Sequence, residues 1–241
     1  MSAAGPSLGS MQIIMIPGLW LDAASWDAVV PALREAGHRP RALTMPGVGA
    51  PAAQSADIGI GDWVDAVVAE IDAASEPVVL VGHSGGGNVA WGAAAARPGR
   101  VARVVFVDTV PPPPGGKISE FPVVDGVVPF PGWDFFDDED VSDLDEATRA
   151  RTAPLAKSVP AKVPTDPIAL SGDGRFHVPV TILIGRMDEA TFREFLSQWK
   201  TAYDEFASIA DAQVVTLGTG HWPQFSAPER LATLLRDAIG R

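Results

Sequence analysis

The chain has 241 residues, 46% of them hydrophobic, with a mean hydropathy of +0.14 and no cysteine. That composition excludes a disordered chain, a disulfide framework and a thiolate metal site, and no apolar run reaches membrane-spanning length. A formal net charge of −12 disfavours nucleic acid and anionic membrane surfaces as partners.

Residues 1–10 carry neither a basic nor an apolar signal-peptide region, so they read as a flexible tail and the expected location is cytoplasmic. Residues 11–16 are apolar and end at Pro17-Gly18, the pattern of a buried strand feeding a loop. Trp26, Val29, Val30 and Leu33 follow at helical spacing, with Ser25 as the expected start cap and Gly37 as the stop. Residues 41–45 read as a second strand. Asp62 is expected to cap a helix with Trp63, Val67 and Ile71 on one face. Strands at 78–81 and 103–107, separated by an Ala-rich helix from Asn88, continue the alternation. Such βαβ units predict a mostly parallel sheet covered on both faces.

A proline run at 111–114 breaks this rhythm. The stretch 111–177 is irregular, yet Phe121, Phe130, Trp133, Phe135 and Phe136 cluster in it and need burial. It is expected to fold as a small cap inserted after the strand ending at Val107, with a helix over 142–153. Much of the negative charge lies in 134–146, which reads as a solvated face. A strand at 180–184 resumes the pattern. Phe192, Phe195, Leu196, Trp199, Tyr203 and Phe206 then recur at helical spacing, as a core stripe. After a strand at 213–217, residues 226–229 read as a capping box for a last helix with Leu231, Leu234, Leu235 and Ile239 facing inward. The expected division is a tail at 1–10, an α/β core of about six strands at 11–110 and 178–241, and a cap at 111–177.

Between the 78–81 strand and the Ala-rich helix lies Gly82-His83-Ser84-Gly85-Gly86. Strand, Gly-x-Ser-x-Gly, helix is a nucleophile elbow: a tight turn that projects the serine hydroxyl, with glycines where side chains would strike the flanking strand and helix. A serine hydroxyl needs a base, and histidine titrates in the right range. His38 reads as a surface residue, His83 as packing beside the nucleophile, and His177 as the start of a strand. His221 sits in a Gly-flanked loop after the last strand, where open α/β sheets bind ligands. Two aspartates at strand ends qualify as the acid that orients it, Asp188 first and Asp108 as the alternative. The N–H groups of Leu19 and Gly85 are the expected oxyanion donors, since Pro17 has none to give.

With these motifs the chain resembles the α/β-hydrolase superfamily over nearly its whole length. Within it, it looks like the small-cap branch of methylesterases and hydroxynitrile lyases. Gly18 and Trp26 match that branch's opening, residues 82–86 its elbow, and Gly220-His221 its base loop. Asp188-Glu189 before an aromatic helix matches its acid loop, and the resemblance therefore favours Asp188. Two positions depart from the pattern. Pro17 stands where relatives usually carry His, and Trp222 where many cyanohydrin lyases carry Lys.

The expected activity is serine-dependent hydrolysis of a small, apolar carboxylic ester or lactone through an acyl-enzyme, with no cofactor and no metal. Trp20, Trp133 and Trp222 are the expected substrate contacts, and the protein is expected to be a monomer or homodimer. The alternatives are a cofactor-free C–C hydrolase or lyase, and a slow-turnover ligand receptor on the same scaffold.

Overall fold

The computed structural model describes residues 9–240, so residues 1–8 of the expected tail lie outside it. The chain opens with β1 (Gln12–Ile16), a 3₁₀ turn at Ala23–Trp26, α1 (Val30–Glu35) and β2 (Arg39–Ala42). Then come α2 (Ala52–Ser55), α3 (Ile60–Ala73), β3 (Val78–His83), α4 (Gly85–Ala96) and β4 (Val101–Val107). An insertion carries β5 (Val127–Val128), α5 (Asp138–Val141), α6 (Glu146–Thr152) and β6 (Val159–Pro160). The chain closes with β7 (Val180–Ile184), α7 (Glu189–Ser197), α8 (Lys200–Ala207), β8 (Ala212–Thr216), α9 (Pro223–Ser226) and α10 (Pro228–Ile239). None of the described helices is long and apolar enough to cross a membrane.

Six strands form one parallel sheet in the order β2-β1-β3-β4-β7-β8, and β5 and β6 pair antiparallel on their own. The strand order reverses between β1 and β3. That reversal opens a crevice at the carboxyl ends of the strands, beside the end of β3. Alternate side chains supply two cores, as strand geometry requires. Ile14, Ile16, Leu80 and Phe106 pack on Trp63 of α3 and Trp91 of α4. Ile13, Met15, Val79 and Val105 pack on Trp26, Leu33 of α1 and Leu231 and Leu235 of α10.

Several local expectations change. The first helical stretch divides into the 3₁₀ turn and α1, and Asp22 rather than Ser25 caps the turn, its Oδ1 accepting the Ala24 N–H at 3.0 Å. Gly59 is the N-cap of α3, and Asp62 reaches back from the first turn to accept the Gly59 N–H at 2.8 Å. The helix expected over 142–153 begins at Glu146, because Asp145 caps it by accepting the Thr148 N–H at 2.7 Å. No capping box forms at 226–229: Ser226 ends α9, its buried hydroxyl has no partner, and Ala227 is the N-cap of α10. The aromatic stripe is split because the helix breaks at Gln198 and Trp199. Phe192, Leu196 and Phe206 are buried, whereas Phe195, Trp199 and Tyr203 face solvent.

Behind the sheet a buried ion pair joins the end of the insertion to α8. Arg175 meets Glu205 through Nε–Oε1 at 2.6 Å and Nη2–Oε2 at 2.9 Å, and the Trp91 indole donates to Glu205 Oε1 at 2.7 Å. Arg175 also donates to the Gly172 carbonyl. Both charged side chains are about 95% removed from solvent, so losing one strands the other. Glu205→Leu is expected to cost about 3–5 kcal/mol in urea unfolding, and adding Arg175→Met to recover more than half of it. Additive losses in the double variant would show the pair to be uncoupled.

Candidate active site

Ser84 links β3 to α4 with φ 51° and ψ −127°, a left-handed backbone unusual for a residue with a side chain. Two close approaches hold that turn. A Cβ on Gly82 would lie 2.6 Å from the Gly86 carbonyl oxygen, and one on Gly86 would lie 2.6 Å from the carbonyl oxygens of Ile16 and Pro17. Neither space admits a methyl group, so β3, α4 and the end of β1 meet only because both positions are glycine. The Ser84 N–H donates to Val107 O at 3.1 Å, which fastens the elbow to the end of β4.

The next residue along β4 is Asp108, also with a left-handed φ of 48°. Its Oδ1 accepts the Gly185 N–H at 2.8 Å and its Oδ2 lies 2.6 Å from His221 Nδ1. His221 Nε2 lies 2.9 Å from Ser84 Oγ. Burial by itself pushes the Asp108 carboxyl up, but the hydrogen bond from His221, the charge on that ring and the Gly185 N–H together hold it below the usual carboxylate range. Asp108 is therefore an ionised acceptor at neutral pH, and its contact with Nδ1 turns His221 Nε2 toward the serine hydroxyl.

The structure does not bring Asp188, the first expected acid, to His221; the alternative, Asp108, stands there. Asp188 is exposed at the start of α7, where its Oδ1 accepts the Thr191 N–H at 2.8 Å. An N-cap needs an acceptor there, and the chain has already turned into the helix. Asp108 gains the contact because β4 lies directly beside β3.

The loop of His221 is held on both sides. His83 Nε2 donates to the His221 carbonyl at 2.7 Å, and Gln224 Nε2 donates to His83 Nδ1 at 3.2 Å. Complete burial first, then the neighbouring His221 charge, push the His83 pKa down to about 3, so its ring stays neutral. From the insertion, Asp140 O accepts the His221 N–H at 2.9 Å and Asp143 Oδ2 accepts the Gly220 N–H at 2.8 Å. Gly220 has no room for a side chain because Asp140 O and Asp143 Oδ1 press against it.

Ser84 and His221 line a cavity of about 260 Å³. Leu19 and Trp20 border it from the loop after β1, Ile118, Ser119, Phe121, Phe136 and Asp140 from the insertion, and Trp222 from the base loop. Trp222 packs edge-on against the His221 ring, with centroids 4.7 Å apart. Trp133 does not reach the cavity. It stands behind Trp222 at 4.9 Å and donates its indole N–H to Arg149 O at 3.1 Å. The N–H groups of Leu19 and Gly85 have no hydrogen-bond partner among the described residues. Those residues also contain no group of three His, Cys, Asp or Glu side chains suited to a metal ion.

Sequence and structure comparisons agree with this architecture. Residues 13–234 match the alpha/beta hydrolase family, and the chain belongs to it. Esterase PIR7B of Oryza sativa subsp. japonica is 40% identical over 111 residues, covering 44% of this chain and 41% of that protein. The match thus spans about two-fifths of that curated relative. Tomato methylketone synthase I, solved as an H243A variant with beta-ketoheptanoate, superposes with a TM-score of 0.75 at 18% identity over 97% of this chain and 99% of that one. Methylesterase MES16 from Arabidopsis superposes with a TM-score of 0.73 at 17% identity over 95% and 99%. The methylesterase-like branch is thus represented among the structures that share this fold.

The depressed His83 pKa sets a pH test. A histidine that stays neutral when folded contributes stability that is complete above its unfolded pKa near 6.5 and is lost as pH falls toward about 3. Urea midpoints of the wild type are expected to fall through that window. The slope is expected to be shallower in His83→Gln, by up to about 1.4 kcal/mol per pH unit. Parallel slopes would show that His83 takes up its proton in the folded state.

Proposed function

We propose that this protein is a serine hydrolase of small, largely apolar carboxylic esters. The observation that carries the reading is the unbroken line from Asp108 through His221 to Ser84, at 2.6 and 2.9 Å, on the wall of a small aromatic cavity. Ser84 Oγ attacks the ester carbonyl carbon while His221 Nε2 takes its proton. Asp108 steadies the imidazolium that forms. The N–H groups of Leu19, on the loop after β1, and of Gly85, on the elbow, receive the oxyanion. His221 then gives the proton to the departing alkoxide and activates the water that frees the acid.

A volume of about 260 Å³ falls below the roughly 300–1,000 Å³ of sites for drug-sized ligands, which argues for a small substrate. The walls of Trp20, Phe121, Phe136 and Trp222 argue for an apolar one. An esterase and a methylesterase among the similar proteins point the same way.

Steady-state hydrolysis of p-nitrophenyl acetate tests the reading. Ser84→Ala is expected to lower turnover at least ~10⁴-fold. Asp108→Asn is expected to lower it by about 10⁴-fold and Asp188→Asn by less than about threefold. A large loss in Asp188→Asn with a small one in Asp108→Asn would reverse the assignment of the acid. A single burst without turnover would point to a receptor or to blocked deacylation, and the absence of any Ser84-dependent signal would point to a C–C substrate or a non-catalytic role.

A further inference from the structure

The ester reading leaves one group in the cavity without a task. Asp140, the third residue of α5, is half-buried and lines the cavity that holds Ser84 and His221. Only its backbone carbonyl serves His221. Its carboxylate has no hydrogen-bond or ion-pair partner among the described residues. An unpaired carboxylate on a residue that lines a ligand-sized cavity calls for an explanation.

The surrounding charges do not neutralise it. The residues lining the cavity include no lysine or arginine. Its charged neighbours are Glu139 on α5, Asp137 at the cap of α5, Asp108 at the end of β4 and His221 on the base loop. Burial, helped by the three neighbouring carboxylates and opposed by His221, pushes its pKa up. Arg186 borders the adjoining cleft, but it is committed to Glu139 O at 2.9 Å and Ser142 Oγ at 3.2 Å. Across the cavity wall Trp20 is 5% exposed, and its buried indole N–H has no partner. The cavity wall therefore carries one carboxylate with no lysine or arginine to pair it.

We propose that Asp140 determines the substrate class by charge: it admits esters whose acyl and alcohol parts are neutral or cationic and rejects those carrying a free carboxylate. The inference deepens the ester-hydrolase reading and rests on it for the word ester. The same charge acts on the product. Water and a neutral ester yield an alcohol, a carboxylate and a proton, so the reaction creates an anion facing Asp140 and drives it out of the cavity.

The test uses a matched pair of probes at pH 8, phenylacetamide and phenylacetate, which differ chiefly in charge. Binding is followed by tryptophan fluorescence, since Trp20 and Trp222 line the cavity. The wild type is expected to bind the amide roughly tenfold or more tightly than the carboxylate. Asp140→Asn is expected to bring the two within about threefold, and Asp140→Lys to reverse the order. Thermal melts establish that each variant is folded. Equal binding in the wild type, a preference that survives in Asp140→Asn, or failure of the amide to bind overturns the proposal. Discrimination that depends on Asp140, in a protein without Ser84-dependent ester turnover, upholds the charge selection and removes the hydrolase reading.

Discussion

The carbonyl of His221 is held by His83 and its N–H by the backbone of Asp140. Those two bonds fix the peptide units on either side of its Cα, and only then can a ring on a loop hold both an aspartate and a serine. A loop residue has several rotamers and a mobile backbone, and a shift of an ångström would part Nε2 from Ser84 Oγ. One anchor comes from the residue before the serine, so serine and histidine are referenced to the same strand end. The other comes from the insertion, which is remote in sequence and contributes through its backbone.

The sheet order decides which acid completes the line. β4 lies between β3 and β7, so the residue leaving β4 stands beside the elbow, while the residue leaving β7 is one strand further out. Asp108 fills the nearer position and also accepts the Gly185 N–H, which ties the end of β7 to the same carboxylate. Asp188 spends its acceptor on α7. Both aspartates sit at strand ends and both accept a backbone amide, but only one is within reach of the ring.

Features that depend on a few contiguous residues were legible in the sequence. The elbow is one, because the close approach of Gly82 and Gly86 to neighbouring backbone is dictated by the turn itself. His221 is another, since a Gly-flanked histidine after the last strand has one natural destination. Features that depend on where separate segments meet were not legible. Family likeness pointed to Asp188, and only the strand register brings Asp108 to the ring. Helical spacing could not reveal that the chain breaks at Trp199 and exposes half of the aromatic stripe. The acidic stretch 134–146 is largely solvated as expected, but composition could not single out Asp140, whose neighbours come from both the insertion and the base loop.

The bonds from α5 and Asp143 to residues 220 and 221 also bind two events together. A rearrangement that swung the insertion outward would strip the partners from the Gly220 and His221 N–H groups and leave the base loop held on one side only. The seat of the insertion and the alignment of the base are thus one mechanical constraint: the insertion carries half of the support on which the base hangs.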